Sequence, residues 1–120
     1  MAIELNQAWK ILGATPRNKV WAWSAWADDR SALFVTLPQR DFIAGTLDIP
    51  LWDSSWDEKV GRNHQLDNIR EAQAANIPMR GFIVMQKDGT EHVHDANPYR
   101  LFDLTIVEDG PARIVARAAA

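Results

Sequence analysis

Six tryptophans stand in a chain of 120 residues, and they are the side chains whose chemistry is easiest to interpret. An average chain of this length holds about one or two. A flat indole stacks on nucleobases, where each stacked base contributes about 1–3 kcal/mol. The same ring attracts a cation over its face, and it would also suit a sugar. Because six such rings are hard to bury in one small domain, we expect some of them to line a ligand site.

The tryptophans divide by the elements in which we expect them. Trp21 and Trp23 would share one face of a strand and fill the core together. Trp26, Trp52 and Trp56 stand near predicted turns, where burial is harder. We therefore expect these three rings to line the ligand site.

Basic and polar residues flank the Trp-rich segment. Arg17 and Lys19 precede it, and Arg62 stands before the second predicted helix. Guanidinium and ammonium groups contact phosphates, and arginine does so with two parallel hydrogen bonds. Asn18 and Ser24 offer hydrogen bonds to a base edge. Scattered charges on a solvated surface are the plainer interpretation of the same cations.

These residues together form a nucleic-acid hypothesis, in which bases stack on indoles and cations hold phosphates. The predicted nucleic-acid-binding residues are Arg17, Asn18, Lys19, Trp23, Ser24, Trp26, Trp52, Trp56 and Arg62. The net charge of −3 gives no overall electrostatic sign of a nucleic-acid or membrane binder, so such contacts have to be local. The alternative is a protein-interaction or small-ligand-binding module in which exposed indoles anchor the partner.

Motifs for catalysis and cofactor binding are missing from the sequence. It has no cysteine, which excludes disulfides, thiol nucleophiles and cysteine-bound metals and favours a cytoplasmic protein. It has no P-loop, no dinucleotide-binding glycine motif and no serine nucleophile elbow. His92 and His94 would share a strand face as a metal pair, but a third ligand is not assured. We expect no cofactor, no metal and a non-catalytic function. A small hydrolase or nuclease is the less favoured hypothesis.

The elements that must position these residues follow from periodicity and turn residues. Helices are predicted over about 4–12, ending at Gly13, and over about 64–77, ending at Pro78. Residues 52–57 are predicted to form an ordered polar loop. Strands are predicted within 19–27, 32–37, 46–51, 81–85, 91–94, 101–107 and 112–116.

This order of elements predicts a single α+β domain over residues 1–120, with two helices and a small, curled, mostly antiparallel sheet. The N-terminus has no basic region followed by an apolar run, so no secretory signal is expected there. No apolar stretch approaches the 18 or so residues that span a membrane. We therefore expect no membrane partner.

A resemblance to domains of bacterial HNH-endonuclease-type proteins lies in residues 13–25, which read GATPRNKVWAWSA. The similar pattern is a Gly-Ala pair, an Asn, and Trp-x-Trp-x-Ala before a second strand. The later helix and the closing strands around Asp88-Gly89 also look alike. This chain has no HNH nuclease segment and too few histidines to build one. The resemblance therefore implies an accessory, non-catalytic domain of a bacterial protein.

The element order is also similar to the PUA-like group, which includes the EVE and ASCH domains. Those domains are small open barrels with flanking helices, and several read modified bases in nucleic acid. By fold-level analogy, the resemblance implies a PUA-like open barrel and a reader of a modified base.

Overall fold

The computed structural model describes residues 3–16, 22–56, 62–90 and 92–119, and it gives residues 62–64 by their backbone. The helices are α1 (Leu5–Leu12) and α2 (Arg62–Ala75). The strands are β1 (Ala14–Thr15), β2 (Ser24–Ala27), β3 (Leu33–Pro38), β4 (Asp48–Asp53), β5 (Met79–Gln86), β6 (Val93–Ala96), β7 (Phe102–Asp109) and β8 (Arg113–Ala119). Single 3-10 turns cover Gln39–Asp41 and Ser54–Trp56. In these ranges no helix is long and apolar enough to cross a membrane.

One sheet organises the molecule. Its strand order is β1-β2-β3-β5-β7-β8-β4, in which β3 and β5 are parallel and the other neighbours are antiparallel. One edge of β5 is divided between two partners: residues 79–81 pair with β7, and residues 84–86 pair with β6. Strands β6 and β7 therefore diverge beside the middle of β5. Among the described strands, β1 and β4 stand at the two ends of the order, so the curled sheet is open.

Both faces of the sheet are covered by a helix. On one face, the Trp9 ring of α1 meets the edge of Phe82, with ring centroids 5.1 Å apart. On the other face, Ile69 and Ala72 of α2 are buried in a core that includes residues from β3, β4, β5, β7 and β8. Helix α2 contacts β2, β3 and β4. Because β2 lies next to one end of the strand order and β4 forms the other end, α2 bridges the opening of the curled sheet.

The predicted fold class is confirmed: the chain is α+β, with two helices and a curled, mostly antiparallel sheet. Helix α1 ends at Gly13, whose φ of 69° lies in the left-handed region that glycine adopts without a side-chain clash. Helix α2 covers Arg62–Ala75 rather than 64–77, and it ends before Asn76, whose φ is 56°, rather than at Pro78. The left-handed residue at the end of a helix is usually glycine and sometimes asparagine.

Two segments predicted as loops are partly strand. Pro16 and Asn18 predict a loop over Thr15-Pro16-Arg17-Asn18, but Thr15 pairs with Trp26 as part of β1. The loop expected at residues 52–57 starts too early, because Trp52 is still in β4 and pairs with Ile114. In both cases cross-strand pairing extends an ordered strand into residues whose local preference is for turns.

Candidate functional site

Helix α2 brings together residues that are far apart in the sequence. Ser24 and Trp26 are two positions apart in β2, so both side chains point to the same face of the sheet. That face is the one covered by α2, whereas Ala25 belongs to the core under α1. The side chains alternate over β2 (Ser24–Ala27), whereas Trp23, which was expected in the same strand, lies in a bend before it. On the far side of α2 lies β4, which holds Trp52.

A buried amide on α2 links two of the predicted site residues. Asn68, which is 5% exposed, donates from Nδ2 to Ser24 Oγ at 2.9 Å. Its Oδ1 accepts a hydrogen bond from Trp26 Nε1 at 3.2 Å. Since a carboxamide has a donor end and an acceptor end, these two partners fix its orientation. The edge of the Trp26 ring is thereby held against the helix.

The ring of Trp26 is also covered on one face by a cation. The guanidinium carbon of Arg30 lies 4.0 Å from the ring centroid, and Arg30 Nη2 contacts Glu71 Oε1 at 2.7 Å. Glu71 stands three residues after Asn68, on a neighbouring position of the same helix surface. A base that stacks on this face of Trp26 therefore has to displace Arg30.

On the β4 side of α2, a second buried amide bonds the strand that holds the buried Trp52. Gln65 is 2% exposed and Trp52 is 7% exposed. Gln65 Nε2 donates a hydrogen bond to the carbonyl oxygen of Leu51. Among the described residues, Gln65 Oε1 and Trp52 Nε1 have no hydrogen-bond partner. Leaving a polar atom buried and unpaired costs about 1–3 kcal/mol, so this part of the interior retains one acceptor and one donor to satisfy.

The 3-10 turn Ser54–Trp56 follows β4 directly and places Trp56 in a half-buried position. Asp53 Oδ1 accepts hydrogen bonds from the Ser55 backbone N–H at 2.9 Å and from Ser55 Oγ at 2.8 Å. These bonds lower the pKa of the Asp53 carboxyl, the backbone bond most strongly. The carboxylate thus fixes the turn that presents Trp56.

The predicted site residues differ in their position and burial. Ser24 and Trp26 are hydrogen-bonded to Asn68 of α2. Trp52 is buried in the core that α2 covers, and Trp56 follows β4. Trp23 is buried, and its carbonyl oxygen accepts hydrogen bonds from Thr36 N and Oγ1, both at 2.9 Å. The expected core position of Trp23 is therefore confirmed.

The side chains of the cations predicted to hold phosphates lie outside the described part of the chain. Arg17, Asn18 and Lys19, together with Trp21, lie outside the described residues. Arg62 begins α2, and its side chain also lies outside the described part of the chain.

Most arginines of the described surface are engaged with carboxylates. Ion pairs at 2.6–3.2 Å are Arg30–Glu71, Arg70–Asp109, Arg80–Asp103, Arg113–Glu108 and Arg117–Asp48. The arginine hydrogen bonds are the main reason that the pKa values of Asp48, Glu108 and Asp109 are lowered. Paired guanidinium groups are less available to phosphate, so the charge of this surface is largely satisfied within the protein.

Gln65 and Asn68, the two buried amide side chains of α2, were not predicted from the sequence. A signal for them exists, because residues 65, 68, 69 and 72 repeat with the spacing of one helix face. Polar residues at such positions are usually interpreted as the exposed edge of a helix. Here they meet the polar atoms of Ser24, Trp26 and Leu51, which lie on the strands below.

A second concave site, also missed, lies where β6 and β7 diverge from β5. Its volume is about 210 Å³. The lining residues come from the turn after β3, from β5, and from the β6–β7 connection and its flanking strands. They are Gln39, Ile83, Met85, Asp95, Ala96, Asn97, Arg100 and Phe102.

The histidine pair considered from the sequence lies on the surface. His92 precedes β6 and His94 lies within it, and both are exposed. In the described ranges, no group of three or more His, Asp or Glu side chains is arranged to hold a metal ion.

No family model matches the chain, and no curated protein or solved structure matches it either. The relation to HNH-endonuclease-type proteins and to PUA-like domains stays a prediction from the sequence.

Proposed function

We propose that this protein is a non-catalytic nucleic-acid-binding module that receives an exposed or modified base at the surface around α2. One observation carries the proposal: Asn68 of α2 joins Ser24 and Trp26 of β2, and the core that the same helix covers includes Trp52 of β4. Aromatic rings beside ordered hydroxyl and amide groups are the combination that stacks a base and bonds its edge.

The proposal gives each group a role. Trp56, half-buried on its turn, offers one ring for stacking, while Trp26 offers a face once Arg30 moves away. The Ser24 hydroxyl accepts from Asn68 and keeps its own proton to donate.

In this proposal Arg17, Lys19 and Arg62 contact the phosphates. Asn18 forms a hydrogen bond with a base edge. The ion pairs of the described arginines support this division, because those guanidinium groups already have carboxylate partners.

The first experiment is a tryptophan-fluorescence titration with single- and double-stranded oligonucleotides, plain and base-modified, at about 50 and 200 mM salt. We expect saturable quenching that weakens as salt rises. Three phosphate contacts on a single strand give a slope of log K against log salt of about −2. Titrations without any change in fluorescence or in the anisotropy of a labelled oligonucleotide would refute the proposal.

Variants then test which rings stack, with anisotropy of a labelled oligonucleotide as the readout. Trp56→Leu should weaken binding by at least about fivefold, the equivalent of one lost stacking contact. Trp9→Phe is the matched control, because Trp9 is buried under α1 on the opposite face of the sheet. Equal binding by both variants would exclude stacking on Trp56.

Protein interaction is the second candidate function, and exposed apolar side chains in the turn before β4 favour it. Ile43 is 40% exposed and Leu47 is 59% exposed. An apolar interface responds weakly to salt, whereas phosphate contacts respond steeply. A partner retained at high salt, with binding weakened by Leu47→Ser, would favour this candidate.

A further inference from the structure

The divided edge of β5 creates a cleft that the proposed function does not use. Strand β7 pairs with β5 as far as Gly81, and β6 pairs with it from Val84 onwards. Between them, the Asn97 backbone N–H donates to the Ile83 carbonyl oxygen at 3.0 Å. This bond fixes the chain where the two strands separate. The cleft of about 210 Å³ is smaller than the roughly 300–1,000 Å³ of sites for drug-sized ligands, so its size suits one ring system.

The apolar part of the cleft offers surfaces for a flat ring. Phe102 and Ile83 both pack against the core under α2, so they form a fixed floor. Met85 also lines the cleft and is 42% exposed. A flexible thioether packs well on an aromatic ring. The cleft therefore has a rigid side and an adaptable side.

The polar part of the cleft matches the edge of a nucleobase. Gln39 and Asn97 line the cleft, and each carries a carboxamide with a donor and an acceptor side by side. In the described part of the chain, neither side chain is engaged by a hydrogen bond or an ion pair. Asn and Gln side chains are the groups that pair with a donor–acceptor base edge.

A carboxylate and a guanidinium complete the set. Asp95 Oδ1 accepts a hydrogen bond from the Ile3 backbone N–H at 3.0 Å, which holds the carboxylate in place beside the cleft. An ionised carboxylate only accepts hydrogen bonds, so it matches an amino group on a base. Arg100 is exposed at the rim, with its guanidinium carbon 5.2 Å from the centroid of the Phe102 ring. A guanidinium in that position suits a phosphate.

We propose that this cleft binds one nucleobase that carries an exocyclic amino group, with Asp95 and a neighbouring carboxamide on its edge and Arg100 on the attached phosphate. The chemistry is that of an amino-bearing nucleotide, either free or as one unit of a single strand.

This cleft is separate from the surface around α2. Trp26 pairs with Leu33 at the start of β3, and Gln39 follows its end. Six strand residues span about 20 Å. Binding in the cleft therefore does not depend on the proposed function, and each proposal can fail without the other.

The test is a titration of the ¹⁵N-labelled protein with adenosine 5′-monophosphate, inosine 5′-monophosphate and adenosine. We expect shifts of the backbone N–H signals of Met85 and Asn97, with the indole N–H of Trp26 unmoved. Inosine monophosphate lacks the amino group and adenosine lacks the phosphate, so each should bind at least about fivefold more weakly. A thymine oligonucleotide with a single adenine distinguishes a base within a strand from a free nucleotide.

Variants separate the cleft from general charge effects. Arg100→Gln should lower the affinity for adenosine monophosphate at least about fivefold while leaving that for adenosine unchanged. Lys10→Gln removes the same charge from the exposed side of α1 and should change neither affinity. Asn97→Leu should weaken both ligands, and an unchanged N–H spectrum outside the cleft shows that it folds. The proposal is overturned by equal binding of the adenine and inosine nucleotides, by shifts confined to Trp26, or by no shifts at all.

Discussion

Asn68 and Trp26 stand 42 positions apart, and a hydrogen bond from the indole Nε1–H to Oδ1 joins them at 3.2 Å. The other end of the same carboxamide donates to Ser24 Oγ. One side chain of α2 therefore holds two residues of β2. This link makes the helix a part of the site around it as well as a cover for the core.

Replacing Asn68 with leucine should destabilise the protein by about 1–3 kcal/mol. The substitution leaves the Trp26 indole N–H and the Ser24 hydroxyl in a buried region without this partner. The free-energy cost of burying an unpaired polar group is larger than the net contribution of the hydrogen bond that it replaces. Urea unfolding measures the change. Asp67→Ala, at the exposed neighbouring position of α2, should stay within about 0.5 kcal/mol of the parent. Equal stability of the two variants would show that the amide is not a structural link.

Gly81 should not tolerate even a methyl group. A Cβ built there would lie 2.5 Å from Leu37 Cδ1 and 2.7 Å from Leu37 Cγ, and Leu37 is fully buried. We expect Gly81→Ala to cost about 1–3 kcal/mol through overpacking. Gly110→Ala is the matched control, because its new Cβ would meet its nearest neighbour at 3.9 Å.

A double-mutant cycle identifies the contact that is responsible. Leu37→Ala alone should cost about 2–5 kcal/mol, because it leaves a cavity in the core. In the Gly81→Ala background the same change should cost less, because the clash disappears with the larger side chain. Strict additivity of the two costs would rule out this explanation.

The sequence predicted those features of the fold that arise locally. Helix α1 is set by apolar spacing over residues 5–12 and by Gly13, whose conformation favours glycine at a helix end. The dipeptide Asp88-Gly89 is typical of tight turns, and a turn forms there in which Gly89 has a φ of 72°. Residues that are close in sequence decide such elements, so one sequence suffices to predict them.

The features that make the two candidate sites arise from contacts between distant residues. The parallel pairing of Leu33 with Met79, and the division of β5 between β6 and β7, have no pattern within any one segment. Burial of Trp52 was missed for the same reason. The polar residues after it suggest a turn, whereas pairing with β8 keeps it in a strand.

Removing the Ser55 hydroxyl should raise the pKa of Asp53, but only part of the way to its ordinary value of 3.8. Ser55→Ala deletes the bond from Oγ and keeps the backbone N–H, which is the larger cause of the lowered pKa. A ¹³C carboxyl titration followed by NMR measures both proteins. An unchanged pKa would mean that the hydroxyl does not bond the carboxylate in solution.

The same carboxylate makes the turn sensitive to acid. Because the folded-state pKa of Asp53 lies below that of the unfolded chain, ionised Asp53 stabilises the fold at pH values above the unfolded value. That contribution is lost as the pH falls through the folded pKa, which lies below 3.8. Urea unfolding should show Asp53→Asn less stable than the parent at pH 6, with the difference shrinking below pH 3.8. A difference that is constant over this range would contradict the prediction.

Arg30 has a left-handed backbone conformation that is unusual for arginine. A glycine fits that conformation, so Arg30→Gly removes the cation over the Trp26 ring without straining the backbone. Its φ is 63°, a conformation that glycine adopts more easily. Arg30→Gly should remove the cation over the ring, a loss of about 0.5–1 kcal/mol, and relieve a backbone cost of similar size. The net stability should therefore change little. Arg30→Ala loses the cation without that relief, so it should be less stable than Arg30→Gly by about 1 kcal/mol.

Photochemically induced nuclear polarisation reports on the accessible face of each indole separately. In Arg30→Gly the Trp26 signal should rise, because the guanidinium that lay 4.0 Å from the ring centroid is gone. Arg117→Ala breaks an ion pair with Asp48 instead and should leave the Trp26 signal unchanged. If Trp26 signals are equal in the parent and in Arg30→Gly, Arg30 does not shield the ring in solution. Stacking on Trp26 would then require no displacement of Arg30.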